Sequence, residues 1–226
     1  MTNRYEGTNT DMSVVIAVTN QKGGVGKTTT AVNVAYFLAK EGKRTLIVDF
    51  DPQGNATSGL GIDKQQVAAT SSEVVLGEVS LADAIVRTEH KKLSLVASTP
   101  HLANTEVDLA KVEGKFTRLQ KAVNSVAEDY DYIIIDSPPS LSLLTVNGLI
   151  AANYILLPVQ AEFYALEGLG QLLETMKLIR KGLNPGLELL GVVATMMDSR
   201  TTLSNQVHDE IKKHFPDAIF NATIPR

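Results

Sequence analysis

Apolar, β-branched runs recur along the 226-residue chain at 14–19, 45–48, 93–97, 132–135, 154–159, 189–194 and 219–224, and each predicts a strand. The runs are nearly continuous. Ile133-Ile134-Ile135, for example, leaves no polar face, as a parallel strand covered on both sides requires. Helical patterns fill the intervals at 28–40, 115–128, 165–181 and 203–215, while 62–93 is the least regular stretch, with one short helix expected around 81–86. Strand and helix in alternation predict an α/β fold, a doubly wound, mostly parallel sheet flanked by helices. Ligands of such sheets sit at the carboxyl ends of the strands, and the polar residues of interest fall there.

Length and composition narrow this picture. A chain of this size suits one α/β domain burying roughly 70% of the surface its unfolded form exposes. Residues 1–12 are polar and lack an apolar segment, so they read as a disordered tail rather than a signal peptide or membrane span, leaving 13–226 as a single domain. The absence of cysteine excludes a disulfide scaffold, a thiolate-zinc site and an iron–sulfur cluster, and it is compatible with a reducing cytoplasm. With 21 Lys and Arg against 25 Asp and Glu, the net charge of −4 gives no global attraction to nucleic acid or anionic lipid. Any such binding must come from a local patch. The doublets Lys91-Lys92, Arg180-Lys181 and Lys212-Lys213 read as solvated helix ends or loops.

Candidate chemistry begins where the first apolar run meets Lys22-Gly23-Gly24-Val25-Gly26-Lys27-Thr28-Thr29 and a helical pattern follows. Glycines let successive backbone N–H groups turn toward one point, and the helix N-terminus adds its positive end. Lys27 can reach β- and γ-phosphates, and the Thr28 hydroxyl can ligate Mg²⁺. The strict phosphate-loop pattern wants glycine at position 21, where this chain has Gln21, and a second lysine, Lys22, stands five residues before Lys27. So many fixed positions arise by chance in a chain this long with odds on the order of 10⁻⁴ or less.

Two further runs end in aspartate. Asp136 follows Ile133-Ile134-Ile135 directly, where it would hold Mg²⁺ through water opposite Thr28. The run at 45–48 leads into Asp49-Phe50-Asp51-Pro52-Gln53-Gly54-Asn55. Hydrolysis of a γ-phosphate needs a group to orient water and a group to offset transition-state charge. Asp51, in a loop shaped by Pro52 and Gly54, is the candidate for the first role. Asp49, closer to the strand, either braces that loop or joins the Mg²⁺ shell. Lys22 is the candidate for the second, and since Lys27 already serves its own nucleotide, Lys22 is expected to reach a phosphate across a dimer interface.

Residues 22–28, together with Asp49-x-Asp51-Pro52-Gln53-Gly54-Asn55 and Asp136-x-Pro138-Pro139, resemble the deviant Walker A ATPases, P-loop NTPases of the MinD/ParA superfamily, and within them the ParA/Soj chromosome and plasmid partition proteins. The likeness runs from about residue 13 to 226 through Leu156-Leu157-Pro158-Val159-Gln160-x-Glu162-x-Tyr164-Ala165-Leu166-Glu167-Gly168, Thr195-Met196-x-Asp198-x-Arg200-Thr201 and Ile224-Pro225-Arg226. It implies an ATPase with ATP and Mg²⁺ as cofactors that forms a homodimer on ATP, binds DNA without sequence preference and is stimulated by a ParB-type partner. It also implies slow hydrolysis and a cytoplasmic, nucleoid-associated location. By resemblance, Lys22 acts across the dimer, residues Gly23, Gly24, Val25, Gly26, Lys27, Thr28 and Thr29 cradle the phosphates, Thr28 ligates Mg²⁺, Asp51 positions water, Pro225 lies against adenine and Arg200 meets DNA phosphates. Relatives of this family continue past the position of Arg226 with a base-contacting asparagine and a helical segment, which this sequence is expected to lack. Two alternatives remain beside the partition reading: a MinD-like membrane-associated positioning ATPase, against which Asp51-Pro52-Gln53-Gly54-Asn55 argues, and a nucleotide-binding scaffold without turnover. A metabolic ligase or kinase on the same loop is a further option, since one fold hosts several chemistries.

Overall fold

The computed structural model describes residues 13–162 and 167–226. The expected tail at 1–12 lies outside the described residues, as do 165 and 166 at the start of one expected helix. Strands β1 (Val14–Val18), β2 (Thr45–Asp49), β3 (Ile85–Arg87), β4 (Leu93–Val96), β5 (Tyr132–Asp136), β6 (Tyr154–Gln160) and β7 (Glu188–Thr195) form one sheet in the order β3-β4-β2-β5-β1-β6-β7. All pairings are parallel except β3 with β4. The helices are α1 (Lys27–Lys40), α2 (Asn55–Gly59), α3 (Ser71–Leu76), α4 (His101–Leu109), α5 (Arg118–Asn124), α6 (Leu143–Ala151), α7 (Glu167–Gly182) and α8 (Thr202–His214).

The continuous apolar runs are explained by two cores. Ile133 and Ile135 of β5 pack with Leu46, Val48, Leu119, Val123 and Leu149 on one face, while Ile134 packs with Ile16, Ile47, Ala31 and Ala35 on the other. Successive side chains of a strand point to opposite faces, so a strand serving both cores has no polar position to spare. Helix α1 sets Ala31, Ala35 and Ala39 against the second face, a spacing of four that puts small residues on one stripe and draws the helix close to the sheet.

Register aligns the strand ends. Val18 of β1 pairs with Asp136 of β5, and Asp49 of β2 pairs with the same Asp136. The phosphate loop and both strand-ending aspartates therefore emerge side by side at one edge. β1 lies between β5 and β6, where the chain turns from filling one side of the sheet to filling the other, and such switch points open a crevice.

Three expectations are corrected. The helix around 81–86 is a single turn at 81–84 followed by β3, because Ser80 and Asp83 close one turn on each other and the β-branched Ile85 and Val86 then pair antiparallel with β4. The strand at 219–224 is not formed. The segment runs beside β7 without a continuous ladder: Val192 bridges Ile219, Phe220 N–H donates to the Val192 carbonyl (2.9 Å) and Ile224 N–H to the Ala194 carbonyl (2.8 Å), Met197 bridges Pro225 just past both, and the Phe220 ring packs over Gly191. The helix expected at 115–128 is shorter, Arg118–Asn124, preceded by Gly114 at φ 69°. Helices α2, α3, α4 and α6 were not anticipated; α3 carried a readable start in the capping box of Thr70 with Glu73, and α6 a weaker one in its N-cap Ser142.

Candidate functional site

The loop between β1 and α1 adopts the conformation its glycines permit. Gly24 and Gly26 have φ of 75° and 84°, in the left-handed region, and Gly26 caps α1. Nothing lies within 4 Å of a Cβ placed on Gly23 or Gly24, so the mouth of the loop is open. Its inner side is anchored. The Thr195 hydroxyl at the end of β7 donates to the Val25 carbonyl at 2.8 Å, and Asn20 links Lys22 N–H (3.0 Å) to the Pro158 carbonyl (2.7 Å).

A cleft of about 380 Å³ opens over this loop. Gly23, Gly24, Gly26, Lys27, Thr28 and Thr29 line one side, and Asp51, Gln53, Asn55, Pro139 and Met196 line the other. The Lys27 side chain is buried, with Nζ donating to the Lys22 carbonyl at 3.1 Å. Burial pushes its pKa down, against the opposing pull of Asp136 and Asp51.

Asp136 is fully buried, and neither carboxylate oxygen has a hydrogen-bond partner. Burial, and then the neighbouring Asp49, push its pKa up to about 8; the Thr28 hydroxyl, near enough to oppose this, lies outside hydrogen-bond geometry. An unpartnered buried carboxylate is costly unless a cation or a proton satisfies it. Three carboxylates against one buried lysine leave the pocket short of positive charge, and Mg²⁺ facing Asp136 and the Thr28 hydroxyl fits that deficit.

Asp49 is equally buried but satisfied. Its Oδ2 accepts from Thr57 N–H at 2.8 Å and from the Thr57 hydroxyl at 2.7 Å, and Oδ1 accepts from Asp51 N–H at 3.4 Å. Burial raises its pKa to about 6, with the Thr57 bonds opposing. Of the two roles left open for Asp49, bracing is the one its bonds perform. Asp51 is nearly buried, and its Oδ1 accepts from Gln53 N–H at 2.9 Å.

Lys22 stands apart from Lys27. Its Nζ pairs with Glu162 Oε2 at 3.1 Å, 140 residues along the chain, and Gln160 donates to the other oxygen of the same carboxylate. Arg200 is exposed and holds Asp198 in a two-point pair, Nε–Oδ1 and Nη2–Oδ2 both at 2.8 Å, which keeps the Asp198 carboxyl down at about 2. Pro225 is exposed beside Met197, adjacent to the cleft-lining Met196. The structure thus gathers the loop, Asp51 and Asp136 in one place, sets Pro225 near the rim, and leaves Arg200 on the surface. Sequence reasoning quoted Asn55 and Met196 within its motifs without a role for either, and missed Thr57 and Ser98, which carry no chemical signature in a single sequence. Met196, at φ 51°, is one of two non-glycine residues in the left-handed region among the described residues. No helix among the described residues is long and apolar enough to cross a membrane.

A family model described as an AAA domain matches residues 13–189. The chain is similar to the sporulation initiation inhibitor protein Soj of Bacillus subtilis (strain 168), 49% identical over 215 residues, which cover 95% of this chain and 85% of that protein. It is 47% identical over 212 residues to the chromosome partitioning protein ParA of Myxococcus xanthus, covering 94% of this chain and 75% of the relative. Among solved structures it resembles cobyrinic acid a,c-diamide synthase from Mycobacterium smegmatis with bound ADP and magnesium, at a TM-score of 0.90 and 40% identity, over 95% of this chain and 87% of that one.

Proposed function

The chain belongs to the Soj/ParA family of chromosome-partitioning ATPases, and on that premise we propose that it is an ATP-dependent dimerisation switch that binds DNA without sequence preference and hydrolyses ATP to partition DNA with a ParB-type partner. The observation that carries the reading is the buried, unpartnered Asp136 close to Lys27 and Thr28 of an open glycine loop. Bound Mg²⁺ would neutralise phosphate charge, held by the Thr28 hydroxyl and, through water, by Asp136. Backbone N–H groups of 23–29 and Lys27 cradle the phosphates, Pro225 lies against the base, and Asp51 orients the attacking water.

Lys22 has a different task. In this conformation it is held within its own chain by Glu162, so reaching a nucleotide of a second copy requires that pair to open. Activity then depends on association, and slow, partner-stimulated turnover suits a switch. Location on the nucleoid in the cytoplasm follows from the same reading.

Retention on DNA tests it. ATP is expected to give salt-sensitive retention that ADP does not, and Arg200→Ala is expected to weaken it. Equal retention with ADP and ATP overturns the proposal. A second reading, ATP-dependent amidation of a carboxylic acid, is favoured by the 40% identity to the Mycobacterium smegmatis protein. ATP turnover that rises with cobyrinic acid and an amide donor, but not with DNA, would select it.

A further inference from the structure

We propose that Thr57 and Ser98 are positioning residues for hydrolysis, which hold Asp51 at the cleft through a closed ring of buried hydrogen bonds. The inference rests on reading Asp51 as the water-orienting residue. The ring starts at Asp49, whose Oδ2 takes both the N–H and the hydroxyl proton of Thr57 (2.8 and 2.7 Å). With its proton so committed, the Thr57 oxygen is left as an acceptor and receives Ser98 N–H at 2.9 Å. The Ser98 hydroxyl then donates to the Asp51 carbonyl at 2.7 Å, and Asp51 N–H returns to Asp49 Oδ1 at 3.4 Å.

Both backbone polar groups of Asp51 are thereby fixed by the end of β2, by α2 and by the residue two places past β4. Asp49, Thr57 and Ser98 have no exposure and Asp51 is 6% exposed, so water does not substitute for any member. Ring directionality is set by chemistry: an ionised Asp49 can only accept, so the Thr57 hydroxyl must donate to it, while the Ser98 and Asp51 N–H groups can only donate and the Asp51 carbonyl can only accept. The loop is pressed onto the same support, since a Cβ on Gly54 (φ 59°) would lie 2.5 Å from the Ser98 carbonyl oxygen. Neither Thr57 nor Ser98 lines the cleft. Ser98 bonds Asp51 directly and Thr57 reaches it through Asp49 and Ser98, both from outside the cleft lining, and a side chain that must orient water tolerates little displacement.

The test compares single-turnover ATP hydrolysis with nucleotide affinity in the full chain. Thr57→Val keeps the shape of threonine and removes the hydroxyl; Ser98→Ala removes the side-chain bond to the Asp51 carbonyl and leaves that carbonyl with Gly54 N–H at 2.8 Å. Each is expected to slow hydrolysis by about 10- to 100-fold while the Kd for ADP stays within about twofold. Thr57→Ser, which restores the hydroxyl, recovers most of the rate. Should Thr57→Val fail to fold, Ser98→Ala and Thr57→Ser still decide. Hydrolysis at the native rate in Ser98→Ala, with Asp51→Ala inactive, overturns this inference alone. Parallel losses of ADP affinity and rate also overturn it, by exposing a merely structural role. Native turnover in Asp51→Ala removes the reading of Asp51 and this inference with it.

Discussion

Lys22 and Lys27 sit five positions apart on one loop, yet their surroundings separate them. Lys27 is buried among carboxylates and bonded to the loop backbone, whereas Lys22 reaches outward to Glu162 with both side chains more than a third exposed. An ion pair that open to water contributes about 0–1 kcal/mol, so on the proposed reading Glu162 is a light restraint that ATP-driven association would displace. Glu162→Gln is therefore expected to lower the ATP concentration needed for dimerisation by no more than about fivefold, measured by sedimentation in an Asp51→Ala background expected to block turnover. A variant needing more ATP would count against restraint. At this scale the sequence was readable where an apolar run stops at a polar residue, as at Asp136 and at Asp49. It was silent about partners drawn from far along the chain, such as Glu162 for Lys22 or Ser98 for Asp51, because no spacing rule links residues 140 or 47 positions apart.

Elements were legible in proportion to their burial symmetry. Six of the expected strands stand within one or two residues of their predicted bounds because strands covered on both faces write unbroken apolar runs. Helix α6 escaped notice for the same reason in reverse. Leu144, Leu149, Ile150 and Ala151 are buried on a helix with no polar stripe, which leaves no helical period to read. Helix α1 is the element on which the loop depends, and its approach to the sheet is fixed by alanines. Ala35→Leu is expected to destabilise the fold by about 1–3 kcal/mol through overpacking, seen as a lower denaturant midpoint with an unchanged slope. The segment 219–224 shows the opposite limit: its apolar content suggested pairing, but two isolated bridges and a phenylalanine lying over Gly191 took the place of a ladder.

For the whole molecule, the paired strand ends set a dependence on pH and metal. Asp136 and Asp49 have folded pKa values raised to about 8 and about 6 from 3.8. Between the unfolded and folded values the native state holds protons that the unfolded chain has lost, so stability falls as pH rises. In EDTA the Tm is expected to decline from about pH 5 to about pH 8, and Mg²⁺ with ADP is expected to flatten that slope by taking the protons' place. A Tm that climbs across this window without metal would contradict the raised values. The bond from Thr195 to the Val25 carbonyl adds a mechanical consequence. Arg200 lies five residues beyond Thr195, and Met196, the next residue along, is the joint at which the backbone turns left-handed. On the proposed role of Arg200, a displacement of the phosphate loop would pull on the root of a short arm that ends at the surface arginine, so communication between nucleotide and DNA would need no relay through the sheet. Its stiffness would be that of one hydroxyl bond and one strained methionine.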